Sequence, residues 1–378
     1  MAVAAGLCGF APQSAIAHDD HGDRGPKGPV VVVSGLNNPR QLDLVGEDEL
    51  LIAEAGKGGD LATISDPEGG DAGIGTTGSI SAVFLPQFAK NTAPNRIVTG
   101  LMSAAGEDGS FAIGSDGVAA RSTHGPIYIQ ETFFPPDPLP QSLAAEQNGK
   151  LLQARPYGDH LGIVADISAY EINNDPDGMG VDSDPYAVLA RKHDLLVADA
   201  AGNDVLRVDK HGKVHLFHLF PNVLTGACAD QFDPDPSHPG CHFVPTSLAQ
   251  DRHGNIYVGG LSSLTPGEAQ VVKLSPNGKH VKRIWSGFTA VTGVAVTRDG
   301  TLYVSELFAT EQHPADPQIQ GVLTKVKTNG HRSHIDVPFP AGVVVNRHGT
   351  VFVAAWSVAP ETGLAGPGTS GQVWRLRF

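Results

Sequence analysis

The residues best placed to do chemistry in this chain are carboxylates that close a recurring apolar phrase. Tyr303-Val-Ser-Glu306 is the clearest instance, and Glu54, Glu131 and Asp199 stand at the same place in three further copies. Gly260 and Ala355 hold that place in two more. Carboxylates gathered around one opening repel one another, and the repulsion is relieved by a cationic partner, by protonation or by a bound cation such as Ca²⁺. A second column opens the apolar run that precedes each acid: Arg40, Tyr186, Thr246, Thr292 and Ala341, most of them directly after Pro. One copy is irregular there, near Asp116 and Gly117. Arg40 is expected to pair with the acids. The acids have two available roles. The plainer is that each caps backbone N–H groups of the neighbouring repeat; the other is that together they hold a metal or a substrate.

A separate acidic stretch, Asn173-Asn-Asp-Pro-Asp-Gly178 running on to Asp182-Ser-Asp184, resembles the start of a calcium loop. Asn173, Asp175 and Asp177 fall at the alternate ligand positions of such a loop and Asp184 at the twelfth. The twelfth ligand is normally Glu, and Pro176 interrupts the loop, so an Asx-rich turn is the competing reading. Sixteen His are present, but His193, His211, His253, His331 and His348 sit in short turns and read as exposed fillers. No G-x-S-x-G, H-E-x-x-H, P-loop or dinucleotide fingerprint occurs.

The elements that must position these residues are strands. Pro245 to Gly260, Val291 to Glu306 and Pro340 to Ala355 each read as apolar strand, Gly-containing turn, apolar strand, and weaker copies end at Glu54, Glu131 and Asp199. Further period-two segments follow each copy, as in Asp204 to Asp209 and Lys213 to His218 around a His-Gly turn. Six copies of a four-stranded antiparallel meander predict a six-bladed β-propeller. The last copy has three strands (341–346, 351–355, 373–378), and Pro29-Val-Val-Val-Val-Ser34 is one strand too many for the first. Closure of the last blade by this N-terminal strand repairs both counts and protects exposed strand edges. Insertions at 56–77, 132–147, 170–184, 223–242, 307–320 and 357–370 all fall in b–c or d–a loops. They therefore build up one face of the propeller, the face that carries both columns.

Residues 29–378 are read as this single domain. The uncharged start, ending Ala15-Ile-Ala17, reads as a signal peptide over 1–17, followed by a leader over 18–28. Loss of that segment leaves Cys228 and Cys241, an even pair that in an exported chain predicts one disulfide, worth roughly 3 kcal/mol by loop-closure entropy. A periplasmic or extracellular location follows. The net charge of −14 argues against a nucleic-acid partner, because that affinity comes from Lys and Arg neutralising phosphates. No apolar stretch is long enough to span a membrane, and a monomer is expected.

With the repeats placed, the chain resembles the ScyD/ScyE family of exported β-propellers. The resemblance rests on Gly35-Leu-Asn-Asn-Pro-Arg40, Ile52-Ala-Glu-Ala-Gly56, Thr77-Gly-Ser-Ile-Ser81, Asn174-Asp-Pro-Asp-Gly178, Asp182-Ser-Asp-Pro-Tyr186, Val197-Ala-Asp-Ala-Ala-Gly-Asn-Asp204, Val244-Pro-Thr-Ser247 and Tyr303-Val-Ser-Glu306. The strand motifs alone also resemble NHL repeats. Gly260 departs from the acid expected in that copy. The family name implies export and no established reaction. Two functions are therefore carried forward. One is a non-catalytic module that binds a ligand or protein on the loop-rich face. The other is a metal-assisted hydrolase or lyase like gluconolactonase-type or streptogramin lyase-type propellers, with Glu54, Glu131, Asp199 and Glu306 as its acids.

Overall fold

The computed structural model describes residues 28–66, 70–84, 91–134, 139–158, 160–180, 182–231, 238–309 and 321–378. The expected signal peptide and nearly all of the expected leader lie outside these residues, as does most of the 307–320 insertion.

In chain order, β1 (Val30–Leu36) precedes β2 (Pro39–Val45), β3 (Glu49–Glu54), β4 (Ala62–Asp66), β5 (Gly70–Phe84) and β6 (Arg96–Ala105). Next come β7 (Ile113–Ala120), β8 (Ile127–Glu131), helix α1 (Gln141–Glu146), β9 (Lys150–Ala154), β10 (Gly162–Asp166) and helix α2 (Ile167–Asn174). Three regular meanders follow. They are β11 (Pro185–Ala190) to β14 (Val214–Leu219) through β12 (Leu195–Asp199) and β13 (Asp204–Val208); β15 (Pro245–Gln250) to β18 (Val281–Phe288) through β16 (Ile256–Gly260) and β17 (Ala269–Leu274); and β19 (Val291–Val296) to β22 (Arg332–Val337) through β20 (Leu302–Glu306) and β21 (Gly321–Val326). The chain closes with β23 (Val343–Val345), β24 (Val351–Ala355) and β25 (Gly371–Leu376).

The fold is all-β and propeller-like. Among the described residues, the pairings between named strands are all antiparallel, and four sheets have four strands each, in the orders β1-β25-β24-β23, β11-β12-β13-β14, β15-β16-β17-β18 and β19-β20-β21-β22. The expected count of six separate sheets is not met, because the remaining strands form one continuous sheet, β10-β9-β8-β7-β6-β5-β3-β2 with β4 paired to β5. Its two halves fuse where β6 overruns its unit and pairs with β7 through Ser103↔Gly114 and Ala104↔Ile113. Glycine permits that approach: a Cβ on Gly114 would stand 2.4 Å from the Met102 carbonyl oxygen.

β1 pairs with β25, Val30 opposite Arg375 and Leu36 opposite Gly371. Its other side is held by Thr92, which donates its N–H to Val32 and accepts one from Ser34. The first strands of successive units touch in the order β2, β7, β11, β15, β19, β23, and β23 touches β2 in turn. Apolar clusters lie between successive units. Leu51 and Ile80 pack with Ile129 and Leu152; Leu151 with Val197 and Leu206; Leu196 and Val205 with Val258 and Val272. The series continues with Val271 against Val304 and Leu323 against Val353, and it returns to the start where Phe352 and Val373 meet Leu50 and Ile52. Strands such as β12, β16, β20 and β24 are buried on both faces because each unit is covered on both sides.

The short turns explain the Asx-x-x-Gly phrases. Asp251 Oδ1 accepts the N–H groups of His253 and Asn255, and Asn346 Oδ1 accepts those of His348 and Thr350. Gly254 and Gly349 then turn the chain at φ 79° and 78°, where a side chain would be strained. The five turn histidines are exposed. Cys228 and Cys241 are bonded, both fully buried, and tie down the 223–242 insertion.

Candidate functional site

The acid column lies at the ends of β3, β8, β12 and β20, and every member is buried. The four carboxylates are not gathered against one another; three of them are consumed locally. Glu54 Oε2 accepts the Asn37 N–H at 2.8 Å, Glu306 Oε2 the Thr289 N–H at 2.9 Å, and Asp199 Oδ1 the Asp184 N–H at 2.7 Å. Asn37, Thr289 and Asp184 all lie in the crossover that leads into the acid's own first strand. The capping role expected for these residues is therefore corrected in its partner: the N–H groups belong to the crossover from the preceding unit, not to the body of a neighbour. A hydroxyl completes each set, from Ser81 to Glu54, Thr324 to Glu306 and Ser183 to Asp199. Glu54 also takes a forked pair from Arg96, 2.9 Å at the closest.

Glu131 is the exception. It accepts only the Ser115 hydroxyl, and its Oε2 has no hydrogen-bond partner. Burial first, and then the charge of Asp116, push it up to about 8.

The second column does converge. Pairing of Pro39 with Glu54, Ser115 with Glu131, Pro185 with Asp199, Pro245 with Gly260 and Val291 with Glu306 places Arg40, Asp116, Tyr186, Thr246 and Thr292 at equivalent positions. Asp116 thus fills the copy that looks irregular in sequence. Arg40 pairs with Asp116 at 3.1 Å, not with the acid column, and donates to the Ala112 carbonyl. Asp116 is pushed up to about 7, chiefly by burial, with Arg40 opposing and Asp184 adding to the shift. Thr246 and Thr292 donate to the carbonyls of Val291 and Pro340, at 2.6 and 2.8 Å, and so stitch each first strand to the next. Gln41, which sequence reasoning passed over, sends its amide from β2 across the molecule to the carbonyls of both Thr246 and Thr292, at 3.0 and 2.8 Å. The sequence offers no signal for that bridge, because only the ring of first strands brings residues so distant in the chain together.

The calcium-loop residues separate. Asn173 lies on α2, exposed, and its amide donates to the Ala169 carbonyl. Asp184 accepts the Thr132 hydroxyl at 2.6 Å. Asp175 and Asp177 stay together and meet Glu171 instead, ligand atoms of the three lying within 4.8 Å of one another. Glu171 escapes a reading of the loop because it lies on α2, two residues before the loop begins, and one helical turn before Asp175. At the opposite end of the strands, a groove of about 560 Å³ lies between the turns at Thr297–Gly300 and Asn346–Gly349. It holds none of the residues singled out as a site.

No protein-family model matches the sequence, and no curated protein matches it. Among solved structures, the chain is similar to one in a nidogen/laminin complex, at 11% identity over 75% of this chain and 84% of that one, with a TM-score of 0.47. A gluconolactonase from Xanthomonas campestris is 16% identical over 72% and 80%, with a TM-score of 0.41. Virginiamycin B lyase from Staphylococcus aureus is 12% identical over 65% and 78%, with a TM-score of 0.37.

Proposed function

We propose that this chain is an exported, six-bladed propeller of ScyD/ScyE type that acts as a non-catalytic binding module, presenting its loop-rich face to a ligand or protein. The circular order of contacts among β2, β7, β11, β15, β19 and β23 supports six blades, with the fused sheet counted as two and β1 closing the last. The disulfide supports an oxidising location. No helix among the described residues is long and apolar enough to cross a membrane.

One observation carries the binding reading over the hydrolase or lyase reading. Glu54, Asp199 and Glu306, three of the four acids a metal-assisted enzyme would use at the axis, are occupied in holding crossovers. Rigid crossovers hold the long loops in fixed relation, which is what a recognition face requires. The test is turnover of simple lactones and esters by the purified chain, with and without added Ca²⁺ or Zn²⁺. The expected result is the spontaneous rate throughout. Turnover that Asp116→Asn or Glu131→Gln abolishes would overturn the proposal.

A further inference from the structure

We propose that α2, the loop after it and the start of β13 together form a Ca²⁺ site, with Glu171, Asp175 and Asp177, whose ligand atoms lie within 4.8 Å of one another, as its core and Asp204 drawn in as a fourth ligand when the ion binds. Glu171 is 1% exposed and Asp204 fully buried, and neither oxygen of either carboxylate has a hydrogen-bond partner. Buried polar groups are nearly always paired, and a buried charge without a partner is expensive. Two buried carboxylates with four unpartnered oxygens, the Glu171 one within 4.8 Å of Asp175 and Asp177, therefore mark a missing positive group.

The surroundings supply none. Both Glu171 and Asp204 are raised by burial and then by the negative charges of Asp199 and Asp177, and Glu171 by Asp175 and Asp182 as well, with no basic side chain offsetting them. A cation between these carboxylates converts the mutual repulsion into attraction.

The rest of the site is already shaped. Asp175 ends α2 in the left-handed conformation (φ 40°) and accepts the Gly180 N–H at 3.2 Å. Asp177 Oδ1 accepts the Met179 N–H at 3.0 Å, and Oδ2 accepts the Asn203 amide at 3.1 Å. Each aspartate is thus oriented by its loop while lone pairs remain for an ion. A Cβ on Gly202 would stand 3.2 Å from Glu171 Oε2, so the glycine leaves room for that carboxylate. Four carboxylates and no His or Cys is an oxygen-only set, which selects a hard cation over Zn²⁺. Ligands drawn from a helix, a flexible loop and a strand suit the irregular shell of Ca²⁺ better than the strict octahedron of Mg²⁺. The ion would clamp the 170–184 insertion to the turn between β12 and β13 on the loop-rich face. The site shares no ligand with the Arg40–Asp116 pair and does not depend on whether the protein is catalytic.

The test is elemental analysis of the full chain purified without chelator, then thermal unfolding after chelator treatment with and without millimolar CaCl₂ or MgCl₂. Ca²⁺ is expected to raise the Tm by roughly 3–5 °C, and Mg²⁺ by less. Glu171→Gln and Asp204→Asn should remove the Ca²⁺ shift without lowering the Tm of the chelated protein, because each replaces a buried carboxyl that has no hydrogen-bond partner. Asp177→Asn, on the partly exposed loop, reduces the shift and serves if the buried variants do not fold. Absence of any Ca²⁺ shift in the wild-type chain, a shift retained by the Glu171→Gln/Asp204→Asn double variant, or a larger shift with Mg²⁺ would each sink the proposal.

Discussion

Glu54, Asp199 and Glu306 show one device used three times: a fully or nearly buried carboxylate at the end of a unit's second strand receives the backbone N–H that leads into its first strand. Charge-assisted bonds of this kind are stronger than neutral ones. Glu131 has the same position without the backbone donor, and the consequence is a pH dependence. Its carboxyl is pushed up to about 8 and that of Asp116 to about 7. Arg40 on β2, Ser115 on β7, Asp184 before β11 and Tyr186 on β11 are the polar and charged groups around this pair. In the unfolded chain both acids lose their protons near pH 4, so between that value and about 8 the folded state holds more protons. Stability therefore falls as pH rises through this window. The Tm is expected to be higher at pH 5 than at pH 8, and Glu131→Gln, which stays neutral, should flatten the decline. A wild-type Tm that climbs steadily from pH 5 to 8 would show that these carboxyls are ionised in the fold. Asp251, lowered to about 2 by its bonds to Asn255 and Lys273, titrates outside the window.

At the scale of elements, β1 is held both by burial and by its ladder to β25. Val32, Val33 and Leu36 are completely buried, and the strand covers the outer edge of β25. Burying one Val or Leu side chain contributes about 1.5–3 kcal/mol. Deletion of residues 1–34 removes two of those side chains and most of the ladder to β25. Hydrogen exchange of that variant should show lost protection at 371–376 while 256–260 stays protected, with a lower Tm. Unchanged protection at 371–376 would mean that β25 is held without β1. The insertions are elements of a different kind. The first adds β4 to a sheet, while others carry the short helix α1, much of α2 and the disulfide, which anchors a loop through Cys228 and Cys241.

The whole molecule is organised around the ring of first strands, and Gln41 is its cross-brace. Its amide reaches from β2 to carbonyls on β15 and β19 at once. On the seam between the first and last units, the Gly342 N–H donates to the Arg40 carbonyl at 3.2 Å, and a Cβ there would stand 2.6 Å from the Leu42 nitrogen. Gln41→Ala leaves two inward-facing carbonyls without this donor, a loss of about 1–3 kcal/mol. The expected outcome is a lower denaturant midpoint with the circular dichroism of the folded state unchanged. A midpoint equal to wild type would indicate that water replaces the amide at no cost.

Strand, turn and repeat were legible in the sequence because they depend on local rules. Period-two apolar runs make strands, Asx-x-x-Gly makes the turns at Asp251 and Asn346, and six such phrases with a spare strand at Val30–Ser34 place β1 beside β25. The pairing of Cys228 with Cys241 was legible for the same reason, because they are the two cysteines beyond Cys8 and lie only 13 residues apart. Tertiary structure alone decided which polar groups meet. Glu54, Asp199 and Glu306 were expected either to cap a neighbouring repeat or to hold a metal or substrate together, and instead they cap the crossovers into their own units. Arg40 chose Asp116, and Asp175 and Asp177 left Asn173 and Asp184 for Glu171. The fusion of the first two units through β6 and β7 was likewise invisible, since it follows from two backbones meeting at Gly114. Side-chain encounters of this sort depend on how neighbouring sheets pack around the axis, and a period-two pattern is blind to that arrangement.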